Sequence, residues 1–205
     1  MKPEYWDRAK RALARGDPVM AKIIRRHPRV HLEPRGNAFH TLARAIVGQQ
    51  ISVKAAQSVW NKFAGAAVEV IPEKILELKT TQMRSCGLSG RKCEYIQDLA
   101  QRFAEGAVQV HRWPDMDDEA VIDDLTQVRG IGRWTAEMFL MFNLLRPDVF
   151  PLGDLGLQRG LQIAYHGGRR ISLKTMRNRG EALRPWRSVA TWYLWRSLDP
   201  LPVEY

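Results

Sequence analysis

The chain has 205 residues, a mass of 23.6 kDa and a formal net charge of +10. Its hydrophobic content of 45% and charged content of 26% exclude a wholly disordered chain. It has no apolar stretch of about 18 residues that would predict a membrane span, and its first residues lack the apolar core of a secretory signal. Two cysteines, Cys86 and Cys93, are too few for a disulfide framework and fit a reducing cytosol.

The positive charge is unevenly distributed along the chain. Its excess favours a polyanionic partner, either nucleic acid or an anionic membrane surface. Residues 169–196 contain eight basic residues and one acid, whereas six acids cluster between positions 115 and 124. We therefore expect one basic face and one acidic back.

Hydrophobic periodicity is helical along nearly the whole chain. The first clear amphipathic stripe consists of Phe39, Leu42, Ala43, Ile46 and Val47. Residues suited to a helix N-cap or first turn predict further helices at Ser52, Pro72, Ser89 and Asp117. A later stripe consists of Trp134, Met138, Met141, Phe142 and Leu145, and it stops before Pro147. A final helix is expected over about 186–197, and because strand-like alternation is nearly absent, the predicted fold class is all-α.

No pattern in the sequence predicts a metal or nucleotide cofactor. The chain lacks HExxH and CxxC motifs, a GxxxxGK[ST] phosphate loop, and a GxGxxG motif after a strand. His27 and His31 have an i, i+4 spacing, but Pro28 between them opposes a regular helix. We therefore expect no metal site and no cofactor.

The most informative segment is 125–136, where two predicted helices meet at a glycine-containing turn. Gly130 and Gly132 flank Ile131, which can anchor the turn in the core. The N–H groups at the start of the second helix, together with its dipole, make this position attractive to a phosphate group. An ordinary turn between two helices can have the same Gly-x-Gly pattern, so the turn alone leaves both interpretations open.

An aspartate follows this turn in a loop rich in glycine and proline. Asp154 lies 22 residues after Gly132 and directly before another predicted helix. Its structural role would be an N-cap. Its chemical role would be a carboxylate that stabilises a cationic sugar.

Four sequence blocks together resemble the helix-hairpin-helix-GPD superfamily of DNA glycosylases, and within it the 3-methyladenine DNA glycosylase II group. They are the segment 46–52, Gly87-Leu88-Ser89 with Lys92 and Tyr95-Ile96, the segment 130–154, and Pro185-Trp186-Arg187-Ser188 with Tyr193-Leu194-Trp195. The resemblance implies a helix-hairpin-helix glycosylase fold with two helical lobes around a cleft. The middle lobe would cover about 39–127, and the second lobe 1–38 plus about 128–205.

The resemblance also implies which residues act. Asp154 takes the position of the catalytic aspartate, and Gln50 that of the residue that fills the space left by the flipped nucleotide. The hairpin residues that contact the DNA backbone would be Arg129, Gly130, Ile131, Gly132 and Arg133. The residues of the base pocket would be Gln49, Trp134, Met138, Leu155 and Trp195.

Trp134 takes the position where strand-cutting members of the superfamily have a lysine, so the implied enzyme is monofunctional. It would excise alkylated purines, of the 3-methyladenine and 7-methylguanine type, from duplex DNA. We expect a monomer in the cytoplasm, associated with the nucleoid if the source is prokaryotic. Two alternatives stay open: a catalytically silent DNA-binding protein, and a glycosylase for other damaged purines.

Overall fold

The computed structural model describes residues 2–198, and in this range the chain forms helices and no strand. The prediction of an all-α fold is therefore confirmed for the described residues. The α-helices are α1 (Trp6–Gly16), α2 (Pro18–Arg26), α3 (Ala38–Gly48), α4 (Val53–Ala67), α5 (Pro72–Glu77), α6 (Thr80–Ser85), α7 (Gly90–Ala104), α8 (Asp118–Thr126), α9 (Arg133–Phe142), α10 (Leu155–His166), α11 (Leu173–Ala182) and α12 (Arg187–Leu198). A 3₁₀ helix, Val110–Asp115, lies between α7 and α8.

The predicted helix starts are confirmed. The side chains of Ser52, Ser89 and Asp117 cap α4, α7 and α8, each by accepting a hydrogen bond from the backbone N–H group three residues later, at distances of 2.8–3.3 Å. Pro72 is the first residue of α5, where its missing N–H group costs nothing. These starts could be predicted because a cap depends on a few neighbouring residues only.

The two predicted stripes have different outcomes. The stripe of α3 is wholly buried. The stripe after the glycine turn is wrong at its carboxyl end, because α9 ends at Phe142, whereas Trp134 lies in the first turn of α9 and is 38% exposed. Leu145 lies beyond the helix with φ of +53°, and the N–H group of Arg146 bonds back to the carbonyl of Leu140 at 2.9 Å, so the chain reverses there.

The described residues form two compact units. We call residues 35–139 the hairpin unit, because the Gly-Ile-Gly turn lies in it. Residues 2–34 and 140–198 are called the aspartate unit, because Asp154 lies in it. The lobe boundary predicted near residue 127 differs from this division, since Phe139 of α9 packs edge-on against Trp113 in the hairpin unit, with ring centroids 5.1 Å apart. The arrangement of two lobes around a cleft stays a prediction.

Each unit is built around one long helix. In the hairpin unit α3, α5 and α6 pack against α7, and α4 packs against α3. In the aspartate unit α1, α2 and α10 pack against α12, whose residues 188–196 are all buried. A helix that is buried on every side is normally apolar throughout, yet α12 includes Ser188, Thr191 and Arg196. The guanidinium group of Arg196 lies 4.8 Å from the ring centre of Trp192.

Ser188 joins α12 to the loop that leads to Asp154. The backbone N–H group of Val149 donates to the Ser188 hydroxyl at 2.9 Å, and this hydroxyl donates to the carbonyl of Arg146 at 2.6 Å. Ser188 is fully buried, so water does not replace these bonds. One hydroxyl group therefore holds the loop at two points.

We predict that Ser188→Ala lowers the free energy of unfolding by about 1–3 kcal/mol, because two backbone groups of the loop lose their shared partner in a buried place. Urea unfolding followed by circular dichroism measures the change. Ser85→Ala is the matched control, because the exposed Ser85 hydroxyl makes only one bond, to the carbonyl of Gln82 at 2.7 Å. Equal losses in the two variants would contradict the role assigned to Ser188.

Candidate active site

Asp154 is a buried carboxylate at the start of α10, with 6% of its surface exposed. Its Oδ1 atom accepts a hydrogen bond from the backbone N–H group of Leu157 at 2.6 Å, which confirms the predicted N-cap. The same atom accepts a second bond, from the indole N–H group of Trp195 at 2.8 Å. The positive end of the α10 dipole also lies at this carboxylate. The group is therefore held in one orientation by two donors from two helices.

Trp195 is itself fixed from two directions. Its ring lies nearly parallel to that of Phe142, with centroids 6.1 Å apart and an interplanar angle of 7°. A Cβ atom on Gly156 would lie 3.1 Å from both the indole ring and Asp154 Oδ1, so glycine permits their close approach. Neither Gly156 nor Phe142 was among the predicted site residues. The glycines around Asp154 were a signal for the former, whereas only the tertiary structure shows the latter.

The guanidinium group of Arg187 binds both the carboxylate and the backbone carbonyl of Asp148, which lies in the loop before Asp154. Its Nε atom donates to Asp148 Oδ1 at 2.9 Å, and its Nη2 atom donates to the carbonyl of the same residue at 2.8 Å. Asp148 also pairs with Arg184 at 2.9 Å. Arg187 and Ser188 belong to the Pro-Trp-Arg-Ser block of the resemblance, and both side chains bind this loop.

The turn between α8 and α9 is the predicted hairpin, and its two glycines differ. Ile131 is buried, as its expected anchoring role requires, and its N–H group bonds to the carbonyl of Val128 at 3.1 Å. Gly130 has φ of +83°, and a Cβ atom there would lie 2.2 Å from the Tyr95 ring. A Cβ atom on Gly132 would meet nothing within 4 Å. Only Gly130 is therefore required by the fold.

One face of α7 supports this hairpin and the turn between α3 and α4. The Lys92 ammonium group donates to the carbonyl of Val47 at 2.7 Å, in the last turn of α3, and burial lowers the pKa of this lysine. Tyr95 lies beneath Gly130, one turn along the helix. Asp98, a further turn along, accepts a bond from the backbone N–H group of Arg129 at 2.9 Å. These side chains share a face because they are spaced by three residues.

The predicted wedge turn is also tied directly to the hairpin. The side-chain amide of Gln49 donates to the carbonyl of Gly130 at 2.8 Å. Gln50 is exposed and has φ of +58°, a left-handed conformation that costs a residue with a side chain roughly 1–2 kcal/mol. Gln50 is therefore held exposed at an energetic cost. It lies between Gln49, which is bonded to Gly130, and the start of α4, which is capped by Ser52.

Arg133 binds two carboxylates within the protein. Its guanidinium group makes two bonds to Glu119, at 2.8 and 2.5 Å, and one to Glu137 at 3.1 Å. The bonds to Glu119 raise the pKa of Arg133 and lower that of Glu119. Because this side chain is already engaged, a DNA contact from position 133 would come from its backbone N–H group.

The residues predicted for the base pocket are divided between the two units. The hairpin unit contains Gln49, Trp134 and Met138, and the aspartate unit contains Leu155 and Trp195. Met138 and Trp195 are buried, whereas Leu155 is 77% exposed. Their common role stays a prediction.

Comparison with known proteins decides the family. The sequence signature of the HhH-GPD superfamily of base excision DNA repair proteins matches residues 43–185, a range that includes the hairpin and Asp154. The chain belongs to this superfamily. The HhH-GPD match ends at Pro185 and therefore does not include α12, whose Trp195 binds Asp154.

Curated HhH-GPD relatives include two glycosylases. DNA-3-methyladenine glycosylase 1 of Schizosaccharomyces pombe is 32% identical over 163 residues, which cover 78% of this chain and 72% of the relative. DNA-3-methyladenine glycosylase of Bacillus subtilis is 29% identical, with coverage of 91% of this chain and 65% of the relative. The matched part of this chain thus covers 72% of the length of the S. pombe relative and 65% of that of the B. subtilis relative.

Two solved structures resemble the fold over nearly the whole chain. The DNA-3-methyladenine glycosidase of Bacillus halodurans has a TM-score of 0.79 and 33% identity, and the match covers 89% of this chain and 90% of the other. The 3-methyladenine DNA glycosylase of S. pombe in complex with abasic DNA has a TM-score of 0.81 and 28% identity, with coverage of 97% and 99%.

The described part of the chain has neither a candidate metal cluster nor a candidate membrane-spanning helix. Residues 2–198 contain no group of three or more His, Cys, Asp or Glu side chains placed to hold a metal ion. None of the described helices has the length and apolar character needed to cross a membrane.

We predict that Gly130→Ala lowers the free energy of unfolding by at least about 2 kcal/mol, because the new methyl group meets the Tyr95 ring in a left-handed backbone conformation. Thermal and urea unfolding measure this loss. The control is Gly132→Ala, for which we expect a loss below about 1 kcal/mol. The explanation is wrong if the two alanine variants are equally stable.

Proposed function

We propose that this HhH-GPD protein is a monofunctional DNA glycosylase that excises alkylated purines, of the 3-methyladenine and 7-methylguanine type, from duplex DNA and thereby initiates base excision repair. The observation that carries the proposal is the buried carboxylate of Asp154, oriented by the α10 amide and the Trp195 indole. The similarity to the DNA-3-methyladenine glycosylase of S. pombe and the DNA-3-methyladenine glycosidase of B. halodurans supports the substrate class.

The chemistry requires stabilisation of a positive sugar. When the bond between C1′ and the base nitrogen breaks, its electron pair leaves with the base, and an alkylated purine that was cationic departs as a neutral molecule. Positive charge then develops on the deoxyribose. A carboxylate about 4 Å away stabilises that charge by roughly 4 kcal/mol at an effective dielectric constant of 20. Water adds to C1′ and loses a proton, which leaves an abasic site.

The hairpin is proposed to hold the DNA backbone. N–H groups at the start of α9, together with the helix dipole, attract phosphate without reading sequence. The open space around Gly132 supports close approach of a DNA strand at this point. The contacts predicted for Arg129, Gly130, Ile131 and Arg133 belong to the same interaction.

Gln50 is proposed to fill the space left by the flipped nucleotide. A base must leave the duplex before its glycosidic bond can be reached, and a side chain that enters the stack offsets part of the cost. The strained, exposed conformation of Gln50 supports this role. Trp134 and Trp195 are proposed to contact the extruded base through their electron-rich rings, which attract a cationic purine.

We predict that Asp154→Asn slows single-turnover base release by roughly 1,000-fold, since about 4 kcal/mol of charge stabilisation is lost. Asparagine still accepts the Leu157 N–H bond, so binding to an abasic duplex and thermal stability should change little. Chromatography of bases released from methylated DNA measures the rate.

Asp117→Asn is the matched control, because Asp117 also caps a helix through one carboxylate oxygen, at 2.8 Å from the N–H group of Ala120. This variant should retain full activity. Rapid release by Asp154→Asn would overturn the catalytic role. No release by the wild type would favour the silent DNA-binding protein, and release of another purine would identify a different substrate.

We predict that the enzyme does not cut the strand at the excised site. Lysine amines form Schiff bases with the sugar, whereas the indole of Trp134 has no such chemistry. Borohydride treatment with an abasic duplex, followed by denaturing electrophoresis, tests this. A covalent protein–DNA adduct would show that an amine reaches the sugar and that the monofunctional assignment is wrong.

A further inference from the structure

The structure divides the basic run over 169–196 into two groups. The first group interacts within the protein and consists of Arg179, Arg184, Arg187 and Arg196. Arg179, for example, lies 3.8 Å from the carboxylate of Asp17 and 4.4 Å from the ring centre of Tyr165. These side chains already interact with acidic or aromatic groups of the aspartate unit.

The second group consists of Arg169, Arg170, Lys174 and Arg177, which we call the distal basic patch. All four are exposed, and within residues 2–198 none of them forms an ion pair. The nearest acid in sequence, Glu181, is already paired with Arg184 and Arg187, and Asp17 is paired with Arg179. No acidic side chain of the described residues therefore forms an ion pair with this patch.

Two arginines of the patch, Arg169 and Arg170, line a surface concavity. A surface concavity of about 500 Å³ at the end of α10 is lined by Tyr165, His166, Gly167, Arg169, Arg170 and Ile171. The glycines at 167 and 168 have φ of +59° and +83°, and both N–H groups bond to the carbonyl of Gln162. This double turn brings the two arginines back to the carboxyl end of α10.

The helix itself does not account for this amount of charge. The carboxyl end of a helix carries a partial charge of roughly −0.5, and one cation there is enough to balance it. The patch supplies four cations, and no carboxylate lines the concavity. A polyanion is the partner that such a surface fits.

The proposed function indicates which polyanion this is, namely duplex DNA. α10 has 12 residues, so its carboxyl end lies roughly 18 Å along the helix axis from Asp154. If Asp154 acts on a nucleotide of duplex DNA, as proposed above, a distance of roughly 18 Å along the same duplex corresponds to about five base pairs. We propose that the distal basic patch binds the phosphates of flanking duplex DNA, outside the segment that carries the damaged base.

The test compares two pairs of adjacent arginines in the same unit. Arg169→Gln with Arg170→Gln removes two charges from the patch. Arg25→Gln with Arg26→Gln removes two exposed charges from α2 and leaves the same net charge. Binding to an undamaged duplex of about 30 base pairs is measured between about 50 and 200 mM salt.

We predict that the patch variant reduces the slope of log K against log salt by about 1.8, because about 0.9 is lost for each phosphate contact. Its binding defect should therefore shrink about tenfold between the two salt concentrations. The control variant should keep the wild-type slope. Arg169→Lys with Arg170→Lys should restore it, because lysine also binds phosphate as a point charge.

A second experiment uses a shorter duplex to distinguish contacts of the patch from contacts at the excision site. On a hairpin-closed duplex of about nine base pairs, the flanking phosphates are absent, so the patch variant and the wild type should bind equally. Base release at saturating enzyme should be unchanged, since the patch does not touch the reacting nucleotide.

Equal slopes in the patch variant and the wild type would overturn the proposal, and so would the same loss in the α2 control. A defect that persists on the short duplex would also overturn it, because the contact would then not be to flanking DNA. Since the slopes are measured on undamaged DNA, failure of the glycosylase assignment would appear separately, as a wild type that releases no base.

Discussion

The hydrogen bond from the Trp195 indole to Asp154 Oδ1 joins the carboxylate of the aspartate unit to the buried helix α12. A carboxylate that is 6% exposed is expensive to bury unless donors surround it, and the α10 amide supplies the second one. Because Ser188 and Arg187 also belong to α12, the same helix holds the loop before Asp154. The orientation of one reactive group therefore depends on the packing of a whole helix.

In the hairpin unit, the positions of two turns likewise depend on one helix, whose side chains contact the backbone of the turns. Lys92, Tyr95 and Asp98 lie on one face of α7 and meet two turns that are distant in sequence. Gln49 then links these turns to each other through the carbonyl of Gly130. The turn that contains the exposed Gln50 is thus held by hydrogen bonds from Gln49 and Lys92. These contacts do not involve the Gln50 side chain, and they offset the strain in its backbone.

The charge of the protein serves two purposes that composition cannot separate. Arg184 and Arg187 fasten a loop, and Arg133 joins α8 to α9 through Glu119. Other cations, such as Arg169 and Arg170, face solvent beside a concavity that no acid lines. Residues of one chemical type therefore contribute either to the fold or to an interaction surface, according to the acids that lie near them.

The sequence by itself determined the all-α class, the helix starts at Ser52, Ser89 and Asp117, and the hairpin, because these depend on periodicity and on residues a few positions apart. Through four blocks in order, it also indicated the superfamily. The tertiary structure alone decided which glycine of the hairpin is indispensable, where α9 ends, and that Trp195 binds Asp154. Those outcomes depend on contacts between residues as far apart as positions 154 and 195, and no local pattern encodes such a distance.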